Sequence, residues 1–193
     1  ANDTISGGAG SDTLSFTYNT ASSNTISAAQ LTNITGFETF SINNATDATA
    51  VNYTLTLTDA IVGAQVATGN TFSVTRDAGD TGTTKVDASA VSSTYLLALT
   101  GGTGNDTLLG GGNNDTITGG AGADTMTGGS GNDVFVYTAN TDTTTTSNAY
   151  SAMDILNGFT VGQDTIDVSA LSTSPTLGTP TRGNWNGTTF TAG

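Results

Sequence analysis

The sequence predicts an all-β chain built as a β-solenoid, in which short strands stack as successive coils. Nine-residue units rich in glycine and aspartate fill residues 101–136 without gaps, and such a short fixed period is typical of β-helical repeats. Residues 16–100 carry short runs of alternating apolar and polar residues, which predict strands with one buried face. Helix signals are scarce, because the two candidates, 27–31 and 149–156, are too short to be stable without tertiary packing.

The nine-residue units share the pattern G-G-x-G-x-D-x-U-x, in which U is apolar. The four gapless copies are GGTGNDTLL, GGGNNDTIT, GGAGADTMT and GGSGNDVFV, and GGAGSDTLS occupies residues 7–15. The preceding ANDTIS matches the last six positions of another unit, so we expect the chain to begin inside a repeat of a longer protein. The apolar position eight is predicted to point into the interior between two short sheets, and it is filled by Ile5, Leu14, Leu108, Ile117, Met126 and Phe135.

The composition excludes several classes of function. The 193 residues carry a formal net charge of −13 with three basic residues and neither His nor Cys. Such a chain cannot neutralise nucleic-acid phosphates, and anionic lipid headgroups repel it. No run approaches eighteen apolar residues, so no membrane insertion is predicted. Fifteen Asp against the single Glu38 favour hard cations as the counter-charge.

The glycines and aspartates of each unit predict calcium sites. Glycine allows positive φ, so carbonyl oxygens can turn toward a point between neighbouring turns, and the Asp at position six adds a carboxylate. Calcium takes about six to eight such oxygen ligands. Successive units go to opposite edges of the coil, so partners across one ion should lie eighteen residues apart, as Asp106 and Asp124 do, and Asp115 and Asp133. This register disfavours a flexible linker, the usual alternative for glycine-rich sequence.

These units resemble the repeats of the RTX (repeats-in-toxin) family over residues 1–15 and 101–137, and more weakly over 154–168. The resemblance implies a right-handed parallel β-roll that binds several Ca²⁺ ions between its turns, in proteins that leave the cell by type I secretion. Carried over to this sequence, it makes turn carbonyls and aspartates the ligands. Gly101, Thr103 and Asp106 would face Gly120, Gly122 and Asp124, and Gly110, Gly112 and Asp115 would face Gly129, Gly131 and Asp133; Asp12 and Asp3 are further candidates.

Four segments are expected along the chain. They are partial repeats at 1–15, a Thr-rich β-solenoid insert at 16–100, the nonapeptide β-roll at 101–137, and a post-repeat β segment with a C-terminal tail at 138–193. Strands in the insert are predicted at 24–27, 37–42, 52–58, 71–76, 85–91 and 95–100. Turn-rich separators recur roughly every fifteen to twenty residues, a spacing suited to the coils of a solenoid.

In style and arrangement, the insert resembles the lattice-forming portions of RTX-type bacterial S-layer proteins, through stretches such as 31–40 and 86–90. The expected function is therefore a calcium-dependent structural module of a secreted bacterial surface protein, an S-layer protein or adhesin, which folds on calcium binding outside the cell. Its expected partners are calcium, further copies of itself in a surface lattice, and cell-surface glycan bound through domains outside this chain.

The sequence leaves three alternatives to this function. One is the calcium-folding tail of an RTX exoenzyme, a metalloprotease or lipase, whose catalytic domain lies outside these residues. A second is catalysis within the chain, which is not expected because there is no His or Cys to build an ordinary nucleophile and base. The third is an ice- or glycan-binding Thr face, which would require a regular Thr array across stacked strands, and the sequence does not display one.

Overall fold

The computed structural model describes residues 4–18, 23–44, 50–77, 79–138, 153–170, 184–185 and 190–191. These residues form an all-β parallel β-roll with two short helices, α1 (Ala28–Leu31) and α2 (Asp59–Gln65). The strands, in chain order, are β1 (Ile5–Ser6), β2 (Thr13–Tyr18), β3 (Ser23–Ile26), β4 (Ile34–Thr35), β5 (Thr39–Asn44), β6 (Asn52–Thr58), β7 (Thr71–Arg76), β8 (Thr84–Ala90), β9 (Leu96–Thr100), β10 (Thr107–Leu109), β11 (Thr116–Thr118), β12 (Thr125–Thr127), β13 (Val134–Val136), β14 (Ile155–Asn157), β15 (Thr165–Asp167), β16 (Asn184–Trp185) and β17 (Phe190–Thr191).

Along the roll, the chain passes back and forth between two parallel sheets. The seven-stranded sheet has the order β15-β13-β11-β9-β7-β5-β2, and the six-stranded sheet has the order β14-β12-β10-β8-β6-β3. Outside these sheets, β1 pairs with β4 in parallel and β16 with β17 in antiparallel orientation. We call the turns that lead from the seven-stranded to the six-stranded sheet the first edge, and the turns that lead back the second edge.

The length of a coil differs between the repeats and the insert. Within the repeats, Thr107 pairs with Thr125 and Thr116 with Val134, so the eighteen-residue register is confirmed. Within the insert, Thr39 pairs with Ser73, thirty-four residues on. The predicted separators of the insert therefore mark half coils, because each run of fifteen to twenty residues only carries the chain from one sheet to the other.

One of the two predicted helices forms, and a different segment forms the second helix. Ser27 precedes α1 and makes a capping box with Gln30, whose side chain accepts the Ser27 N–H at 2.8 Å. The unpredicted α2 buries Ile61, Val62 and Gln65. The predicted helix at 149–156 is wrong at its C-terminal end, because Ile155 and Leu156 belong to β14 and pair with β12; residues 149–152 lie outside the described ranges. No helix within those ranges is long and apolar enough to cross a membrane.

A single apolar core lies between the two sheets and runs through insert and repeats alike. In the insert, the Phe40 ring is fully buried between Phe16 and Phe72, with ring centroids 5.3 and 4.8 Å away. In the repeats, position eight is fully buried at Leu108, Ile117, Met126 and Phe135, as predicted. Ile5 departs from the prediction with 52% of its surface exposed, because β1 pairs only with β4 and lies outside the two main sheets.

Small hydroxyl side chains form two ranks on the outer face of the seven-stranded sheet. One rank passes through Thr13, Thr39, Ser73 and Thr116, interrupted by Ala98, and the other through Ser15, Ser41, Thr75, Thr100 and Thr118. Serine takes several of these positions and Ala98 interrupts one rank, so the ranks are not the regular Thr array that an ice- or glycan-binding face would require. Unequal spacing along the chain hides both ranks in the sequence, since coils of different length bring their members into register.

Candidate metal centre

Turns of neighbouring repeats stack directly on one another at each edge of the roll. At the first edge, the N–H of Ala121 donates to the carbonyl of Gly102 at 3.0 Å, so turn 119–124 lies on turn 101–106. At the second edge, the N–H of Ser130 donates to the carbonyl of Gly111 at 3.0 Å, so turn 128–133 lies on turn 110–115. The structure thus brings together the turns that the sequence pairs across each calcium ion.

The aspartate at position six of each repeat is buried and bonded to the coil before it. Asp124 Oδ1 accepts the N–H of Asp106 at 2.7 Å, and Asp133 Oδ1 accepts the N–H of Asp115 at 2.9 Å. Asp106 in turn accepts the N–H groups of Thr84 and Gly102. All four aspartates are at most 2% exposed. We call these stacked side chains the carboxylate ladders, Asp106 and Asp124 at the first edge and Asp115 and Asp133 at the second.

Each ladder continues past the last glycine-rich unit. Asp154 Oδ1 accepts the N–H of Asp124 at 2.8 Å, and Asp164 Oδ1 accepts the N–H of Asp133 at 3.0 Å. Sequence reasoning missed both residues as site residues, because the segment 154–168 lacks the Gly-Gly pair that opens each unit. A weaker signal was present, since each of these aspartates is followed after one residue by an apolar residue, as in positions six to eight of a unit.

The N-terminal unit finds its partner in the insert. Asp12 N–H donates to Glu38 Oε2 at 2.8 Å, twenty-six residues away along the chain. The single glutamate thus takes the position that aspartate holds in the repeat ladders. Asp12 is only half-buried, so it lacks the enclosed surroundings of the four repeat aspartates, and Asp3 lies outside the described residues.

The donor atoms around the repeat turns suit calcium. A Cβ added to Gly101 would lie 2.3 Å from Asp106 Oδ2 and 2.2 Å from the carbonyl oxygen of Gly119. A Cβ added to Gly120 or Gly122 would lie 2.1 or 2.3 Å from a carbonyl oxygen of the turn below. The space left by the absent side chains is therefore lined by carboxylate and carbonyl oxygens, the ligands that hard cations prefer.

The second edge adds a charge argument for a cation. Asp133 Oδ2 is buried and has no hydrogen-bond donor within the described part of the chain, and a buried carboxylate oxygen without a donor or counter-charge is costly. No group of three or more acidic, His or Cys side chains lies together among the described residues. Turn carbonyls must therefore supply most of the ligands, and the ligand roles of Gly101, Thr103, Gly110, Gly112, Gly120, Gly122, Gly129 and Gly131 stay predictions.

Burial makes three of the four ladder carboxylates reluctant to ionise. Burial raises the pKa of Asp115 to about 6, against the lowering effect of hydrogen bonds from Gly111 and Leu97, and the charge of Asp133 raises it further. Burial likewise raises the pKa of Asp106 and of Asp133. Because the shifts arise from desolvation and from mutual repulsion, a cation between the turns relieves both causes at once.

In calcium-free buffer, the repeat region should become more stable as the pH falls from 7 to about 4. The pKa of Asp115 rises from 3.8 in the unfolded chain to about 6 in the fold, so the folded state binds more protons across this window and loses stability as the pH rises through it. With calcium the sign reverses, because the ion requires ionised carboxylates. Thermal melts at several pH values, with EDTA and with calcium, measure both slopes; slopes of equal sign would contradict this account.

Comparison with known proteins agrees with this geometry. Residues 1–16 and 100–135 match the family model of the RTX calcium-binding nonapeptide repeat in four copies. No curated protein matches the chain by sequence. The resemblance to RTX repeats is confirmed over the matched turns, and calcium is the ion that these repeats bind. The resemblance of the insert to S-layer proteins stays a prediction.

Proposed function

We propose that this calcium-binding module of an RTX protein is a structural part of a secreted bacterial surface protein, an S-layer protein or adhesin, that folds and assembles on meeting calcium outside the cell. The observation that carries the proposal is the continuity of insert and repeats. β8 pairs with β10 and β9 with β11 in unbroken parallel register, so the calcium turns extend a roll that the insert has begun. A scaffold of this extent is better suited to a surface structure than to a secretion tail alone.

Charge supplies the switch between an exportable and a folded chain. With a net charge of −13, the chain repels itself, and folding places its ladder aspartates in buried positions one above another. Where calcium is scarce, the cost of burying these charges keeps the repeats open and compatible with type I secretion. Calcium, when bound between the turns, supplies the neutralising charge. Because the folded turns hold the ion and the open chain does not, the free energy of binding becomes free energy of folding.

A structural function also fits the way in which the remaining acids are used. Several aspartates on the surface each accept a backbone N–H close by: Asp59 from Ser92, Asp77 from Gly79, Asp87 from Ser89 and Asp167 from Ser169. Carboxylates held in this way fix turns, and we assign no catalysis to them. The second candidate function is the folding tail of an RTX exoenzyme, which the match to the repeats also favours.

Calcium titration of the purified chain tests this proposal. We expect the repeats to change from coil to β structure by circular dichroism at micromolar to millimolar calcium, together with particle growth by light scattering, and neither with magnesium alone. Folding in a persistent monomer would contradict surface assembly and support the exoenzyme tail. A chain whose spectrum does not respond to calcium would contradict both candidates.

A further inference from the structure

One of the three basic residues of the chain is buried directly beneath the first calcium turn. Arg76, at the end of β7, is 5% exposed, and its Nη2 lies 2.7 Å from Oδ2 of Asp80, which is 2% exposed. The guanidinium also donates to Thr84 Oγ1 and to the carbonyl of Val51, and it lies 4.8 Å above the Tyr53 ring. Hydrogen bonds, an ion pair and an aromatic face therefore hold this charge in one place.

The layer that contains Arg76 is stacked in the same way as the calcium layers. The N–H and Oγ1 of Thr103 donate to the carbonyl of Asp80 at 3.2 and 2.9 Å, so turn 101–106 lies on residues 79–83 at the first edge. A Cβ added to Gly104 would lie 2.0 Å from the carbonyl oxygen of Gly82, the close approach seen between repeat turns. Residues 79–83 thus form the turn below the first repeat.

Arg76 also reaches the first repeat turn itself. A Cβ added to Gly102 would lie 3.1 Å from Cδ of Arg76, so the arginine stem packs against that turn. Thr84 stands where a repeat has its aspartate, since its N–H donates to Asp106 Oδ1 at 2.6 Å, as the N–H of Asp106 does to Asp124. The coil below the repeats therefore lacks a ladder carboxylate, and its buried charged groups are Asp80 and the Arg76 guanidinium.

We propose that Arg76 is a resident cation, which takes the place of calcium in the layer between residues 79–83 and turn 101–106. Its positive charge offsets the negative charges of Asp80 and Asp106 without a bound ion. The last coil of the insert therefore folds without metal. Its strands β8 and β9 then form a template on which the repeats fold when calcium binds. Only this last step rests on the proposed function; closure of the insert in the absence of calcium does not.

This arrangement gives folding a direction. In a roll, each coil contacts only its neighbours, so folding spreads from whichever coil is already closed. The repeats join the insert through β8 and β9, so they start from the calcium-free end. At the second edge, the carbonyl of Val91 accepts the N–H of Gly112, and Leu97 stands in the aspartate position. No such cation is needed there, because residues 91–95 carry no charged side chain to match Asp80.

The test compares Arg76→Ala with the matched control Lys85→Ala, which removes an equal charge from the exposed face of β8. In EDTA, limited proteolysis with mass spectrometry should find residues 50–100 protected in the unsubstituted chain and in Lys85→Ala, and open in Arg76→Ala. With calcium, Arg76→Ala should recover protection and bind one ion more than the unsubstituted chain by equilibrium dialysis, because Asp80 and Asp106 then face an empty layer.

Arg76→Lys separates the charge from the shape of the side chain. It should stay protected in EDTA and bind the same number of ions as the unsubstituted chain, because it keeps the positive charge. The proposal is overturned if residues 50–100 of the unsubstituted chain are open in EDTA, if Arg76→Ala stays protected there, if Arg76→Ala gains no ion with calcium, or if Arg76→Lys behaves like Arg76→Ala. The EDTA result does not depend on assembly, so a failure of the proposed function is seen separately.

Discussion

Replacing all four repeat aspartates by asparagine is expected to abolish the stabilisation of residues 101–136 by millimolar calcium. Asparagine keeps the Oδ1 that accepts the backbone N–H of the preceding coil, but at 106 and 115 it loses the Oδ2 that accepts the N–H of Gly102 or Gly111. The substitution also removes the negative charge at both edges. Calcium affinity changes by orders of magnitude with the number of charged ligands, so we expect the calcium midpoint to rise by about a hundredfold or more.

The control for this experiment carries the same change in charge at the surface. Asp59, Asp77, Asp87 and Asp167 each accept a backbone N–H outside the ladders, and their joint replacement by asparagine should leave the calcium midpoint within about threefold. Circular dichroism at increasing calcium measures both variants. If the two quadruple variants shifted the midpoint equally, net charge and not the ladders would set the response to calcium.

Replacing Gly120 by alanine should separate the stacked turns at the first edge. Gly120 has φ +100°, which costs an L-residue about 1–2 kcal/mol. The added Cβ would also lie 2.1 Å from the Gly102 carbonyl oxygen, an overlap that typically adds about 1–3 kcal/mol. We expect a loss of about 2–5 kcal/mol in the free energy of unfolding, and a higher calcium midpoint, because the oxygens of both turns move apart.

Gly69→Ala isolates the contribution of backbone strain. Gly69 has φ +82°, and a Cβ there meets nothing within 4 Å, so only the strain of about 1–2 kcal/mol is expected, with no change in the calcium midpoint. Denaturant titrations with and without calcium compare the two variants. Equal losses would show that the close approach of the two turns contributes little to the site.

Regular features of the fold could be predicted from the sequence because they follow a local period. The nine-residue register gave the stacking of Asp106 beneath Asp124, and alternation gave β6 and β7 with the bounds found in the structure. The helix α2 was missed because a seven-residue segment with an internal Gly63 carries too little periodicity, and its burial depends on the coil around it.

The missed site residues have partners at irregular distances along the chain. Glu38 meets Asp12 across twenty-six residues, and Asp164 meets Asp133 across thirty-one, so no fixed spacing marks either pair. Arg76 belongs to no motif in the sequence. Its importance comes from the turn that the fold places above it, and a coil of variable length leaves no trace of that neighbour in the sequence.

The stacking of coils also determines how the module would respond to mechanical tension. Two parallel sheets hold each coil to the next through short strands, three residues long in the repeats and up to seven in the insert. A force along the roll therefore loads one interface at a time, and the shortest strands yield first unless ions clamp their turns. Under tension, such a chain would lengthen stepwise and dissipate energy, and the force that it withstands would rise with the calcium concentration of the surroundings.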